Sequence, residues 1–281
     1  MHNAAVSFVT RDEIYLTHGA RALTVRLFLP DTPGPHPAVL ALHGGAWCTG
    51  TPDDCHGFAH AFASAGIVVA ALAFRHAADG YPTALADINY GVRWLKAHAA
   101  ALGIGAVGIA GQSSGGHLAM LAAMRPEDPR YAALPSPSAW PAADARVAAV
   151  AMLWPVINPL SRYRHARRAR AAGAAWVGDI PERQDLFWQT EAAMAEGNPL
   201  LALERGEKLA LPPALWLQGR PDPAHDYRDP EADFDGPEPD RFAARYRAAG
   251  GALTLLTTGP AERTDAATLA QVAAFLRARL G

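Results

Sequence analysis

At 281 residues, 50% hydrophobic and 19% charged, the chain can bury a large core and sits at the upper end of single-domain size, which suits one α/β domain with an insertion. A formal net charge of −2 excludes the basic surface of a nucleic-acid binder and the polybasic face of a membrane-surface protein. Met1-His2-Asn3-Ala4-Ala5-Val6-Ser7 lacks a basic n-region and an apolar h-region, and no run of about 18 apolar residues occurs, so a cytoplasmic address with no membrane partner is expected.

Taken in chain order, Leu23 to Leu29 and Ala38 to Leu42 read as strands, the second continuous and apolar. It runs into His43-Gly44-Gly45-Ala46-Trp47. A glycine pair at a strand end lets backbone N–H groups face a cleft with no side chain in the way, an arrangement suited to stabilising an oxyanion. Cys48 and Cys55, the two cysteines of the chain, flank this turn and are read as free thiols. A helix over Asp54 to Ala65, a buried strand over Gly66 to Leu72 and a helix carrying Leu85, Ile88, Val92 and Leu95 follow.

The most informative segment is Val107 to His117, VGIAGQSSGGH. A short apolar run ends in Gly111-Gln112-Ser113-Ser114-Gly115, and a helical stretch from Leu118 to Met124 follows. Strand, sharp turn and helix are the context that makes a G-x-S-x-G match a nucleophile elbow. The flanking glycines allow a tight, strained turn that exposes Ser113 above the sheet, with the N–H of Ser114 as a further oxyanion donor.

Together the two motifs resemble the α/β-hydrolase superfamily, in particular its esterase/lipase branch near hormone-sensitive lipase and the aryl formamidases, over about Leu23 to Leu280. The resemblance implies one α/β-hydrolase domain over residues 1–281, a mostly parallel twisted sheet covered by helices on both faces, and a carboxylesterase-type activity. The alternation of later strands agrees: Val147 to Leu153, Leu215 to Gln218 and Leu253 to Thr257, with helices over Asp240 to Ala249 and through Leu269, Val272, Leu276 and Leu280.

Between residues 155 and 211 the alternation breaks, with Pro155, Pro159, Pro181 and Pro199 in a stretch too long for a surface loop, which reads as a cap over the site. Trp154, Trp176, Phe187 and Trp188 line a pocket or pack the cap on the core, with Trp47 helping to shape the pocket. The run Arg162, Arg164, Arg167, Arg168 and Arg170 reads as a solvated helix face, with attraction of an anionic substrate the sharper alternative.

The resemblance further implies a triad acid after the next-to-last strand, which falls on Asp222, and a histidine after the last. This chain departs from the pattern there: Thr258-Gly259-Pro260-Ala261-Glu262-Arg263-Thr264-Asp265 contains no histidine. Three histidines follow Ser113. His117 lies in the elbow helix and suits packing, His165 lies in the cap, and His225 lies three residues after Asp222 at the carboxyl edge of the sheet. His225 is the best replacement base, oriented by Asp222 in its own loop or by Glu262 or Asp265 in the next. His76 is the other serious candidate, and His43 reads as an orienter of the oxyanion turn. The acidic stretch Asp226 to Asp240 departs from calcium-loop spacing and reads as a solvated loop. No zinc, phosphate-loop or dinucleotide signature occurs, so no metal or cofactor is expected.

The expected function is a serine hydrolase acting on a small acyl compound through Ser113, Asp222 and His225, with Gly44, Gly45 and Ser114 holding the oxyanion. Two alternatives stand beside it. One is a base-deficient member of the fold that binds ligands or runs a non-hydrolytic reaction, and the other is an aryl formamidase.

Overall fold

The computed structural model describes residues 6–281. Its centre is an eight-stranded sheet of β1 (Phe8–His18), β2 (Arg21–Pro30), β3 (His36–Leu42), β4 (Val68–Leu72), β5 (Ile104–Gln112), β6 (Val150–Leu153), β7 (Ala214–Gly219) and β8 (Leu253–Thr258), in the order 1-2-4-3-5-6-7-8. β1 and β2 pair antiparallel with each other, β2 pairs antiparallel with β4, and every later pairing is parallel.

The central strands are apolar on both faces because both faces are covered. In β3, Ala38, Leu40 and Leu42 enter one core while Val39 and Ala41 enter the other. The first core is closed by α2 (Thr83–Ala97), which follows β4, by α4 (Ser114–Met124) and by α9 (Glu238–Ala248). The second is closed by α1 (His56–Ser64) through Phe58 and Phe62 and by α10 (Ala266–Leu280) through Leu269, Val272 and Leu276. A short helix, α3 (Ala99–Leu102), links α2 to β5. This is the architecture that the sequence resemblance implies, with one addition. β1 was not anticipated, because as an edge strand it is mostly solvent-exposed and reads as polar sequence, with Ile14 62% exposed.

Residues 155–211 fold as α5 (Pro159–Ala171), α6 (Ile180–Trp188), α7 (Glu191–Glu196) and α8 (Pro199–Glu204). The prolines that interrupt the strand pattern start helices, since Pro159, Pro181 and Pro199 all sit in first turns, where a missing N–H costs nothing. The side chains of Asn158, Thr190 and Asn198 cap α5, α7 and α8 by accepting from the amides of Ser161, Ala193 and Leu201. Among the described residues, no helix is long and apolar enough to cross a membrane.

Parallel strands place all their carboxyl ends on one edge. The turns after β3 and β5 and the loops after β7 and β8 therefore meet there, which brings four distant sequence segments to one place.

The double-sided core gives a direct test. Leu40→Ala, at a fully buried position, is expected to lower unfolding stability by about 2–5 kcal/mol, whereas Ile14→Thr on the edge strand should change it by about 0.5 kcal/mol or less, read as urea-unfolding midpoints.

Candidate active site

Ser113 joins β5 to α4 with φ 51° and ψ −119°, in the left-handed region that a non-glycine residue occupies only under constraint. The constraint is visible in its neighbours. A Cβ on Gly111 would collide with the carbonyl of Gly115, and a Cβ on Gly115 would collide with the carbonyls of Leu42 and His43. The two glycines of the motif are thus required by backbone contact. The Ser113 amide donates to Leu153 at 2.9 Å, and its carbonyl accepts from His117 and Val156 at 3.2 and 3.1 Å, so the turn is pinned from both sides.

The turn after β3 lies against this elbow. Gly44 approaches so closely that a Cβ there would sit 3.4 Å from that of Ser113. Gly45, at φ 109°, could not be replaced without striking Thr49, whose amide donates to the Gly45 carbonyl at 3.1 Å. Among the described residues the amides of Gly44, Gly45 and Ser114 find no acceptor, which leaves three donors beside Ser113. His43 is buried behind the turn, stacked on Phe74 at 4.2 Å, with Nδ1–H donating to the Gly44 carbonyl at 2.8 Å. Burial pushes its pKa down to about 4, so it stays neutral and fixes the turn.

The loop after β7 supplies the rest. His225 Nε2 lies 3.0 Å from Ser113 Oγ, and His225 Nδ1 lies 2.9 Å from Asp222 Oδ2. Asp222 Oδ1 accepts from the amides of Ala224 and His225 at 3.1 and 3.3 Å, which locks the loop in a turn. Burial alone would raise the Asp222 pKa. The His225 hydrogen bond, the Ala224 amide and the Arg263 charge overcome it and hold the group at about 2. Burial lowers the His225 pKa below 6.5, with the Asp222 hydrogen bond opposing and the charges of Arg162 and Arg263 reinforcing the shift. A neutral imidazole with Nδ1–H directed at Asp222 presents its Nε2 lone pair to the Ser113 hydroxyl.

The other candidates lie elsewhere. His117 is fully buried, takes a hydrogen bond from Trp47 Nε1 at 3.2 Å and donates to the Gly197 carbonyl at 2.8 Å, and burial lowers its pKa to about 4. His76 packs edge-on against His43 and Phe74. Asp265 precedes α10, and Glu262 folds over Gly259. Trp47 is 2% exposed and packs with Phe187 and Trp188, so these rings join the oxyanion turn to the α6 segment as core. Cys48 and Cys55 are unpaired thiols, Cys48 donating to the Arg183 carbonyl at 3.0 Å.

Two features escaped the sequence reading. Arg263, on the loop that lacks the histidine, reaches Asp222 Oδ2 at 2.8 Å while lying 4.3 Å over the Trp154 ring. A search confined to acids and histidines passes over it. The stretch from Asp226 to Asp240, expected to be a solvated loop, is instead docked in good part by charge. Asp226 and Asp240 pair with Arg220, Glu231 with Arg164 and Arg168, and Glu238 with Arg241 and Asn158. Glu231 thus joins the acidic insertion to the basic face of α5, which neither segment reveals alone.

A family model described as BD-FAE matches residues 26–208. The chain belongs to the BD-FAE family. The chain is similar to the protein described as "Probable carboxylic ester hydrolase LipM" of Mycobacterium tuberculosis, at 34% identity over 36% of this chain and 24% of that protein. It is also similar to the ethyl acetate hydrolase of Pseudomonas putida, at 30% identity over 75% of this chain and 64% of that protein. The matched stretch thus spans about a quarter of the first relative and under two thirds of the second. An esterase of Pyrobaculum calidifontis shares the fold, with a TM-score of 0.74 at 19% identity over 98% of this chain and 86% of that one.

The depressed Asp222 pKa carries a stability consequence. With a folded value of about 2 against 3.8 unfolded, Asp222 contributes about 2 kcal/mol that is fully present above pH 4 and lost as pH falls through 2. The stability gap between the parent and Asp222→Asn is therefore expected to narrow between pH 4 and pH 2 in acid-dependent denaturant melts.

Proposed function

We propose that this protein is a serine hydrolase that cleaves a carboxylic ester of a small molecule through an acyl-enzyme, without a cofactor. The observation that carries the reading is the continuous relay from Asp222 through His225 to the strained Ser113, at 2.9 and 3.0 Å, beside three amides with no acceptor.

In this reading His225 Nε2 takes the Ser113 proton as Oγ adds to the ester carbonyl, and Asp222 stabilises the imidazolium without itself being protonated. The tetrahedral oxyanion is received by the amides of Gly44, Gly45 and Ser114, whose fixed dipoles need no reorganisation. Collapse breaks the C–O bond, and His225 returns its proton to the departing alkoxide. A water then gives a proton to His225 and adds to the acyl group, and release of the acid restores the Ser113 hydroxyl. Asp222 fills the orienting duty for which Glu262 or Asp265 was the alternative, and Arg263 acts through Asp222, holding the carboxylate ionised and aimed at Nδ1.

The reading as a base-deficient binder drew on the missing histidine after β8, and His225 at 3.0 Å from Ser113 weighs against it. Relatives named for ester hydrolysis support an ester over a formamide as substrate. The aromatic cluster at residues 47, 187 and 188 is packed as core, so these rings are not walls of a substrate pocket.

Two measurements test the assignment. Ser113→Ala and His225→Ala should each lower kcat for p-nitrophenyl butyrate by about 10³-fold or more, with Ser113 labelled by a fluorophosphonate in the parent alone; full turnover in His225→Ala sinks the assignment of the base. Because the His225 pKa is lowered in the folded protein, its neutral, active form persists into mildly acid solution. The acid limb of kcat/KM should accordingly fall below pH 6.5.

A further inference from the structure

Five arginines lie along α5, and their fates differ. Arg164 bridges Glu191 and Glu231, Arg168 meets Glu231, and Arg170 meets Glu182, while Arg167 is exposed beside the Tyr163 ring. Arg162 alone points inward. It is 4% exposed, enters no ion pair among the described residues, and its Nε is buried without a hydrogen-bond partner. Its guanidinium carbon stands 5.9 Å over the Trp176 ring, a contact that offsets only part of the lost hydration. Arginine cannot escape burial by giving up its proton, so an unpaired buried guanidinium is a standing cost to the fold.

The surroundings place this cation on the face of α5 turned to the loop that carries His225. His165, one turn further along α5, is stacked between Trp176 at 5.2 Å and Tyr227 at 4.0 Å and donates from Nε2 to the Pro223 carbonyl at 2.9 Å. The face of α5 that carries Arg162 therefore rests on the Pro223–Tyr227 loop that holds His225. The positive charge of Arg162 is felt by His225, whose basicity it reduces, and by Asp222.

A planar fork of donors, largely buried, outside any ion pair among the described residues and carried on the helix face that rests on the His225 loop, matches a carboxylate in geometry and charge. Resting on the serine-hydrolase reading, we propose that Arg162 is the anion-recognition residue of the site, and that the natural substrates are esters carrying a free carboxylate, seated on the Arg162 guanidinium while Ser113 attacks the ester carbonyl. The carboxylate belongs to either the acyl part or the alcohol part, and the two cases are separable.

The test compares matched esters in the parent, Arg162→Gln and Arg162→Lys. p-Nitrophenyl hemisuccinate against p-nitrophenyl butyrate places the charge on the acyl side, and 3-butanoyloxybenzoate against phenyl butyrate places it on the leaving group. The parent should favour the charged member of one pair by tenfold or more in kcat/KM. Arg162→Gln should erase that preference through KM, and Arg162→Lys should restore part of it. Using the ratio within a pair cancels any change in His225 basicity, since that slows both members alike. Arg162→Met should also melt at a higher temperature than the parent, because it removes an unpaired buried charge, whereas a purely structural arginine would leave a less stable protein. A parent with no preference in either pair, or an Arg162→Gln variant that slows both members equally, overturns the proposal. Succinate binding to Ser113→Ala by calorimetry, weakened at least tenfold when Arg162→Gln is added, reads the same site without turnover. Binding retained with no ester cleaved would strike the hydrolase reading and leave the anion site standing, whereas cleavage of neutral esters without succinate binding would do the reverse.

Discussion

The structure depends on the close approach of three backbones at the carboxyl edge of the sheet. Gly115 at the start of α4 abuts the carbonyls of Leu42 and His43 at the end of β3, and Gly111 at the end of β5 abuts Gly115 in turn. No side chain fits between them, so the elbow and the oxyanion turn form a single packed object. Ser113 pays for its left-handed backbone, on the order of 1–3 kcal/mol, from this contact and from the hydrogen bonds to Leu153, His117 and Val156. Ser113 and the amides of Gly44, Gly45 and Ser114 consequently keep one geometry, the condition under which fixed dipoles would lower a barrier in the proposed reaction.

Electrostatics does the remaining work of placement. Asp222 gathers two backbone amides, the His225 ring and the Arg263 guanidinium around one carboxylate. His225 is thereby tied to Asp222 within a four-residue turn, while the loop after β8 contributes an arginine in place of the histidine that the family resemblance implies. Around this centre, Glu231 of the 226–240 stretch holds Arg164 and Arg168 of α5, so α5 and the chain that follows His225 are joined by charge as well as by the His165 stack. Exposed pairs of this kind contribute little stability individually, and their effect is on register and orientation.

The fold was legible because buried parallel strands are written as unbroken apolar runs, and β3 through β8 all carry that signature to some degree. β1 was not, since an edge strand that faces water has no such run. Ser113, Gly44 and Gly45 were legible because close backbone packing admits so few residue types. His225 was found by elimination among the histidines, and its pairing with Asp222 by nearness in sequence. Arg263 was not legible, because its significance lies only in the direction of its reach across two loops. The same holds for the α5 arginines. Arg162 and Arg164 look alike in sequence, and only the packed structure shows one buried without a partner and the other bridging two glutamates.

Placing the acid and the base in one turn also changes how the chain divides its labour. Every group proposed to carry or receive a proton lies between residues 43 and 225, and the part of the sequence after His225 contributes one guanidinium to the site and a wall of the core. The β8–α10 connection is then released from the spacing that a catalytic histidine would impose on it. Insertions, grafted segments or a relocated terminus can be accommodated there, provided that Arg263 or another cation still reaches the Asp222 carboxylate, which makes this connection a point of attachment for remodelling the protein without rebuilding the proposed site.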